Sequence, residues 1–301
     1  MNFDTDNLKT VKDFIRWGAS RFSEAKLTFG HGLSSPLDES AYLVLNALHL
    51  PVDTANTYWD GCLTSAEIST VKELLLRRII ERKPAAYLTN EGWFSGLPFF
   101  VDERVLVPRS PIAELVETQF APWVDPDEVG SILDLCTGSG CIGIACAYAF
   151  ANAEVDLADI SQDAVDVANI NIQRHDAEQQ IQAVQSDLFE SLKGKQYDII
   201  VSNPPYVDAE DMSALTEEFM HEPELGLSSG ENGLDLTVSI LNQATDYLTE
   251  NGILVVEVGN SQYALQQLYP DVPFHWLEFE RGGDGVFLID KHQLEIFFNR
   301  S

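Results

Sequence analysis

The chain has 301 residues, is 45% hydrophobic and 22% charged, and carries a formal net charge of −30 at pH 7. That composition supports a packed core and excludes wholesale disorder, and no apolar run approaches the roughly 18–20 residues that span a bilayer. The charge is uneven: residues 1–120 hold 12 basic and 16 acidic side chains and residues 121–301 hold 6 and 32, so −26 of the −30 falls in the second part, which argues against DNA or RNA as its main partner.

Met1-Asn2-Phe3-Asp4 is acidic and has no apolar h-region, so no export signal is expected. Apolar residues then recur at helical spacing: Leu8, Val11, Phe14, Ile15, Phe22; Ala41, Leu43, Leu45, Leu48; and Ile68, Val71, Leu74, Leu75, Ile79, Ile80. Thr64 and Glu67 form a capping-box start for the third helix, which should end before Pro84. Residues 1–84 thus read as a small helical domain. Over 85–109, aromatics alternate with Gly92, Gly96 and Pro98, and Val101–Val107 looks extended, which predicts a β-hairpin linker.

From residue 110 to 301 strand and helix signals alternate. Strands are predicted over 131–135, 154–158, 183–185, 197–202 and 253–258, and helices over 112–120, 142–150, 164–174, 234–248 and 263–268. This pattern predicts an α/β fold with a doubly wound, mostly parallel sheet. Two closing strands, 276–279 and 285–289, have little between them and predict an antiparallel edge hairpin. Cys62, Cys136, Cys141 and Cys146 form no C-x-x-C pair and have no zinc spacing. Reduced thiols, no metal, a cytoplasmic location and no membrane association are expected.

Three signals carry chemistry. Asp134-Leu135-Cys136-Thr137-Gly138-Ser139-Gly140-Cys141 follows a strand and opens a helix, where glycines let backbone approach a ligand. The spacing 138-140-143 formally matches a dinucleotide fingerprint, but does not separate NAD from other adenosine ligands. Asp159 ends the next strand and is placed to accept from ribose hydroxyls; a solvated strand-end carboxylate looks the same. Asp187 follows the third strand, with Leu188 or Phe189 to cover an adenine ring; an N-cap or surface role is equally compatible.

Asn203-Pro204-Pro205-Tyr206 decides between these readings. It follows the fourth strand, at the carboxyl end where crevice ligands bind in open α/β sheets. Two prolines remove two backbone donors, leaving the Asn203 side-chain oxygen and a proline carbonyl as acceptors. That pair suits a planar –NH2 group with two N–H donors, and Tyr206 can lie on its flat face. Holding both hydrogens favours pyramidalisation of the nitrogen, so that its lone pair can attack an electrophile. An NAD dehydrogenase or a silent binding module has no use for such a loop.

This set resembles the class I S-adenosylmethionine-dependent methyltransferases (a Rossmann-like sheet) that act on amides or exocyclic amines. Asn-Pro-Pro-Tyr is shared by adenine-N6 DNA methyltransferases and protein-(glutamine-N5) methyltransferases. The chain resembles the second group over essentially its whole length, including Pro84–Thr89, Asp102–Arg109, Glu222–Leu227 and Gly230–Leu234. Pro108-Arg109 is followed by Ser110-Pro111-Ile112-Ala113-Glu114-Leu115, whereas the release-factor branch usually shows an acidic pair there. Tyr87–Phe94 is also similar to the branch that modifies ribosomal protein L-three. The resemblance implies methyl transfer to a glutamine of L-three, within an assembling large subunit or free, with release factors as the alternative substrate. It implies S-adenosyl-L-methionine held by Asp134, Cys136, Thr137, Gly138, Ser139, Gly140, Asp159, Asp187, Leu188 and Asn203. The catalytic loop would be Asn203, Pro204, Pro205 and Tyr206, with no direct DNA binding and no membrane.

Overall fold

The computed structural model describes residues 5–298; Met1–Asp4, read above for export signals, lies outside them. The chain divides into two compact units, one of Met1–Glu91 with Thr216–His221, the other of Gly92–Leu215 with Glu222–Ser301. The break falls between Glu91 and Gly92, inside the stretch read as a linker.

The first unit is helical: α1 (Val11–Glu24), α2 (Pro36–Ala47), α3 (Ser65–Glu81) and the short α4 (Ala85–Thr89). Phe14, Phe22, Leu43, Val71 and Leu75 form its core. The Thr64–Glu67 capping box is present, and Arg82 in a left-handed conformation ends α3. Arg78 is fully buried and donates to Glu39 at 2.6 Å. Burial raises the Glu39 pKa and the Arg78 charge opposes that rise. The 216–221 segment belongs to this unit: Glu218 accepts the Thr28 amide (3.0 Å) and pairs with Arg82 (2.7 Å), and Phe219 packs on His31.

The second unit opens with a hairpin, β1 (Gly92–Phe94) and β2 (Leu97–Phe99), shorter than predicted. Residues 85–89 are helical instead, and Val101–Val107 joins no ladder. Val101, Val105 and Val107 are buried as a loop, and the Val107 amide is used by a side chain, Glu222, at 3.1 Å. Then follow α5 (Ile112–Glu117), β3 (Ser131–Leu135), α6 (Cys141–Ala149), β4 (Glu154–Asp159), α7 (Gln162–Arg174), β5 (Ile181–Gln185), β6 (Tyr197–Ser202) and α8 (Ala209–Ala214). The chain ends with α9 (Asp235–Gln243), β7 (Leu248–Glu257), α10 (Gln262–Leu268), β8 (His275–Trp276), β9 (Val286–Asp290) and α11 (Lys291–Phe297).

The sheet order is β5-β4-β3-β6-β7-β9-β8. β3 to β7 are parallel, and β9 is antiparallel to both β7 and β8, which makes the expected edge pair. Side chains alternate between faces. Ile132, Ile199, Val201 and Val255 face a core with Ile112, Ile142, Ile144 and Ile172 of α5–α7. Leu133, Leu135, Ile200, Leu254 and Val256 face another with Ile240, Leu241, Leu265 and Leu294 of α9–α11. Strands buried on both faces are the mark of a doubly wound α/β sheet. The chain winds from β3 to one side through β4 and β5, and then to the other through β6 and β7. The reversal leaves a crevice outside the carboxyl ends of β3 and β6. No helix among the described residues is long and apolar enough to cross a membrane.

Candidate active site

The ladder pairs Leu135 with both Ala158 and Ser202, and Asp159 with Gln185. The loops after β5, β4, β3 and β6 therefore lie in a row along one sheet edge, carrying Asp187, Asp159, Cys136–Gly140 and Asn203–Tyr206 in that order. Residues 67 positions apart in the sequence, such as Leu135 and Ser202, become neighbours because the parallel strands share one register.

The glycine loop is built from below. Asp134 is fully buried; its Oδ2 accepts the Thr137 hydroxyl at 2.6 Å and the Gly143 amide at 2.8 Å. Its Oδ1 has no hydrogen-bond partner among the described residues. Burial pushes its carboxyl up to about 7. Thr137 and Ser139 are buried too, and the Ser139 carbonyl accepts the Asn171 amide at 2.8 Å. Asp134, assigned to the cofactor from sequence, is thus a brace under the loop, and the side chain of Thr137 serves the same end. Gly138 and Gly140 have φ of 55° and 82°, in the left-handed region that favours glycine. A Cβ at Gly138 would meet nothing within 4 Å, so the loop presents bare backbone to the crevice there. Gly143 packs where a Cβ would lie 2.1 Å from Leu157.

Asp159 also shapes this loop. Its Oδ2 accepts the Gly138 amide and its Oδ1 the Ser161 amide, both at 2.9 Å. A carboxylate offers about four acceptor positions, so two remain for a ligand. Burial raises its pKa, and backbone amides of Ser161, Gly138 and Ile160 hold it back. The Cys136 thiol is pushed up by burial and then by the Asp159 charge; it is a neutral group here. Asp187 is exposed, while Leu188 is buried with φ of 45°. Phe189 is not available to a ligand ring: it is fully buried and stacked on Tyr247, centroids 4.5 Å apart.

At the end of β6 the Ser202 hydroxyl donates to the Leu135 carbonyl at 2.6 Å, tying the base of the next loop to β3. Asn203 is half-buried and its side chain makes no hydrogen bond among the described residues. Pro204 and Pro205 are buried. The loop therefore keeps an uncommitted side-chain amide immediately before two prolines that stiffen the backbone. Beyond it, the Val207 amide donates to the Leu227 carbonyl at 2.8 Å.

The sequence that builds this crevice and its donor-poor Asn-Pro-Pro-Tyr loop has counterparts among known proteins. The methyltransferase small domain model matches residues 118–232. A ribosomal protein uL3 glutamine methyltransferase from Francisella tularensis subsp. tularensis is 48% identical over 290 residues, covering 96% of this chain and 92% of its own. One from Neisseria gonorrhoeae is 49% identical over 295 residues, covering 97% and 98%. The chain belongs to the ribosomal protein uL3 glutamine methyltransferase family. Among solved structures, a methyltransferase from Pyrococcus furiosus aligns over 65% of this chain and 89% of its own, with 18% identity and a TM-score of 0.46.

Two segments that carry the resemblance to glutamine methyltransferases meet in the structure. Glu222, buried, accepts from Arg109 through both guanidinium nitrogens at 2.5 and 2.8 Å, and from the Val107 amide. Arg104 pairs instead with Asp102, two residues away, at 2.7 Å. His221 lies against the Glu81 carbonyl at 3.0 Å. Glu257, at the end of β7, accepts hydroxyl hydrogen bonds from Tyr206 and Ser110. A carboxylate inside the apolar run Val255-Val256-Glu257-Val258 signals such a partnered buried group.

Proposed function

We propose that this chain transfers a methyl group from S-adenosylmethionine to the side-chain amide nitrogen of a glutamine in ribosomal protein uL3. The observation that carries the reading is the near full-length identity to two uL3 glutamine methyltransferases, in a chain whose Asn203–Tyr206 loop stands beside the glycine loop. The residues present suit the cofactor. Bare backbone at Gly138 and two remaining acceptor positions on Asp159 favour a ligand with an amino-acid tail and a ribose. Asp187 lies next along the edge, toward the adenine end. Bound S-adenosylmethionine supplies a methyl group activated by its sulfonium.

The chain's own task is to make a poor nucleophile react. An amide nitrogen shares its lone pair with the carbonyl, so positioning and exclusion of water are the available levers. The Asn203 side-chain oxygen and the Pro204 carbonyl accept the two amide hydrogens and fix the nitrogen toward the methyl donor. Tyr206 covers the amide plane. The alkylated nitrogen is acidic and gives up its proton to water, which needs no strong base. The helical unit takes part in recognising the substrate, in the cytoplasm, on free or assembling large-subunit protein.

The test is a labelled methyl-transfer assay with uL3, a peptide-chain release factor and DNA side by side, followed by peptide mapping. Label on one glutamine of uL3 is the expected result. Asn203→Ala should lower the rate about 100-fold or more while cofactor affinity changes less than about threefold. Label only in the release factor or DNA, or a near wild-type rate for Asn203→Ala, would overturn the proposal.

A further inference from the structure

Tyr206 is held at both ends. Its hydroxyl donates to Glu257 Oε1 at 3.0 Å. Its ring lies against Gly259, where a Cβ would fall 2.5 Å from Cε2. Its carbonyl accepts the Ser261 hydroxyl at 3.1 Å and is overlaid by Gly233, where a Cβ would fall 2.1 Å from that oxygen. Glu257 is itself held: its other oxygen accepts the Ser110 hydroxyl at 2.5 Å, and the side chain is buried. The neighbouring cation, Arg109, turns its guanidinium to Glu222.

We propose that Glu257 is a positioning residue for methyl transfer, fixing where the axis of the Tyr206 ring points, with Ser110 fixing Glu257 in turn. The inference rests on the reading of Asn203–Tyr206 as the active loop. A tyrosine ring against a glycine can still turn about its Cβ–Cγ bond and slide in its slot. A hydrogen bond at the para position removes the second freedom: the hydroxyl lies on the Cβ–Cγ axis, so holding it within about 3 Å of a buried acceptor fixes where that axis points, while the Gly259 backbone against the ring limits its rotation. Glu257 ends β7, whose register with β6 pairs Val256 with Ser202, so the acceptor sits on a rigid strand one position from the base of the loop. Two hydroxyl donors already occupy its two oxygens, which is the arrangement of a holder rather than of a proton acceptor. The ring face that remains is the surface on which the substrate amide packs, and its orientation sets how the amide meets the Asn203 oxygen.

The experiment measures kcat, KM for uL3, cofactor affinity and pH profile for Tyr206→Phe, Glu257→Leu, Glu257→Gln and the double variant Tyr206→Phe/Glu257→Leu. Each of the first two should lower kcat about tenfold with KM within about twofold, and the double variant should be no worse than either, since both remove one interaction. Glu257→Gln should stay within about threefold of wild type with an unchanged pH profile. Its amide oxygen still accepts from the phenol and its NH2 donates to Ser110. Should Glu257→Leu fail to fold, Ser110→Ala replaces it: it lowers kcat about threefold alone and not at all in the Tyr206→Phe background. Penalties that multiply to about 100-fold, or an inactive Glu257→Gln, overturn the inference while the wild-type activity stands. No transfer to uL3 by the wild type overturns the functional reading and the inference with it.

Discussion

A carboxylate in the apolar interior is stable only when its charge is compensated or absent, and Asp134 has neither a cation nor full hydrogen bonding. Its carboxyl is raised from 3.8 to about 7, with burial as the main cause. A raised folded-state value means that the native protein binds a proton the unfolded chain releases. The resulting stabilisation is fully present below about pH 4 and is lost as pH rises toward and through 7. Asp134→Asn keeps acceptors for Thr137 and Gly143 and removes the titration. Wild type should therefore lose stability relative to this variant between about pH 4 and 8, by roughly 2–4 kcal/mol, in denaturant melts. A pH-independent gap between the two proteins would show that the buried carboxyl does not titrate in that window. At this scale the grouping of Asn203, Asp159 and the glycine loop was legible in sequence, because each ends or follows a predicted parallel strand and such strands share one end of the sheet. Ser110 was not, since it meets Glu257 across 147 positions and a lone serine carries no pattern.

The elements that place these residues are β3, its loop and α6, and their fit depends on close approach. Gly143 lets α6 lie on the sheet, with Leu157 and the Asp134 side chain where its Cβ would be. Gly143→Ala should cost about 1–3 kcal/mol and loosen the loop above it, since backbone or core must move. A thermal melt checks the first effect, and cofactor titration the second. An unchanged melting temperature would mean that Leu157 gives way freely. β3, β4, β6 and β7 were legible because both faces are buried, which leaves short apolar runs bounded by turns; β5, at the sheet edge with Gln182 and Gln185 exposed, was legible only over 183–185. The stretch from 101 to 107 misled for a related reason: Val101, Val105 and Val107 are buried but join no ladder, and the Val107 amide goes to the Glu222 side chain. α8 has a single large apolar residue, Met212, and α11 has its apolar residues bunched at Leu294, Ile296 and Phe297, so neither shows a repeating helical spacing.

Over the whole molecule, the charge is almost all at the surface. Of the acidic residues after 120, only Asp134, Asp156, Glu218, Glu222 and Glu257 are buried among the described residues. A charge of −26 on residues 121–301 favours a basic partner over a nucleic acid and should speed the approach of a positively charged substrate. Methylation of uL3 should slow by roughly three- to tenfold between about 0.05 and 0.3 M salt, mainly through kcat/KM. A flat response would leave the charge as a matter of solubility. The fold of the helical unit has another consequence. Arg82 pairs with Glu217 and Glu218, and Phe219 packs on His31, yet these partners are encoded more than 120 codons after Glu91. The unit is discontinuous along the gene. An expressed fragment ending near Glu91 would carry Arg78 and Arg82 without their distal carboxylates, so grafting this unit onto another protein requires the 216–221 segment as a second piece.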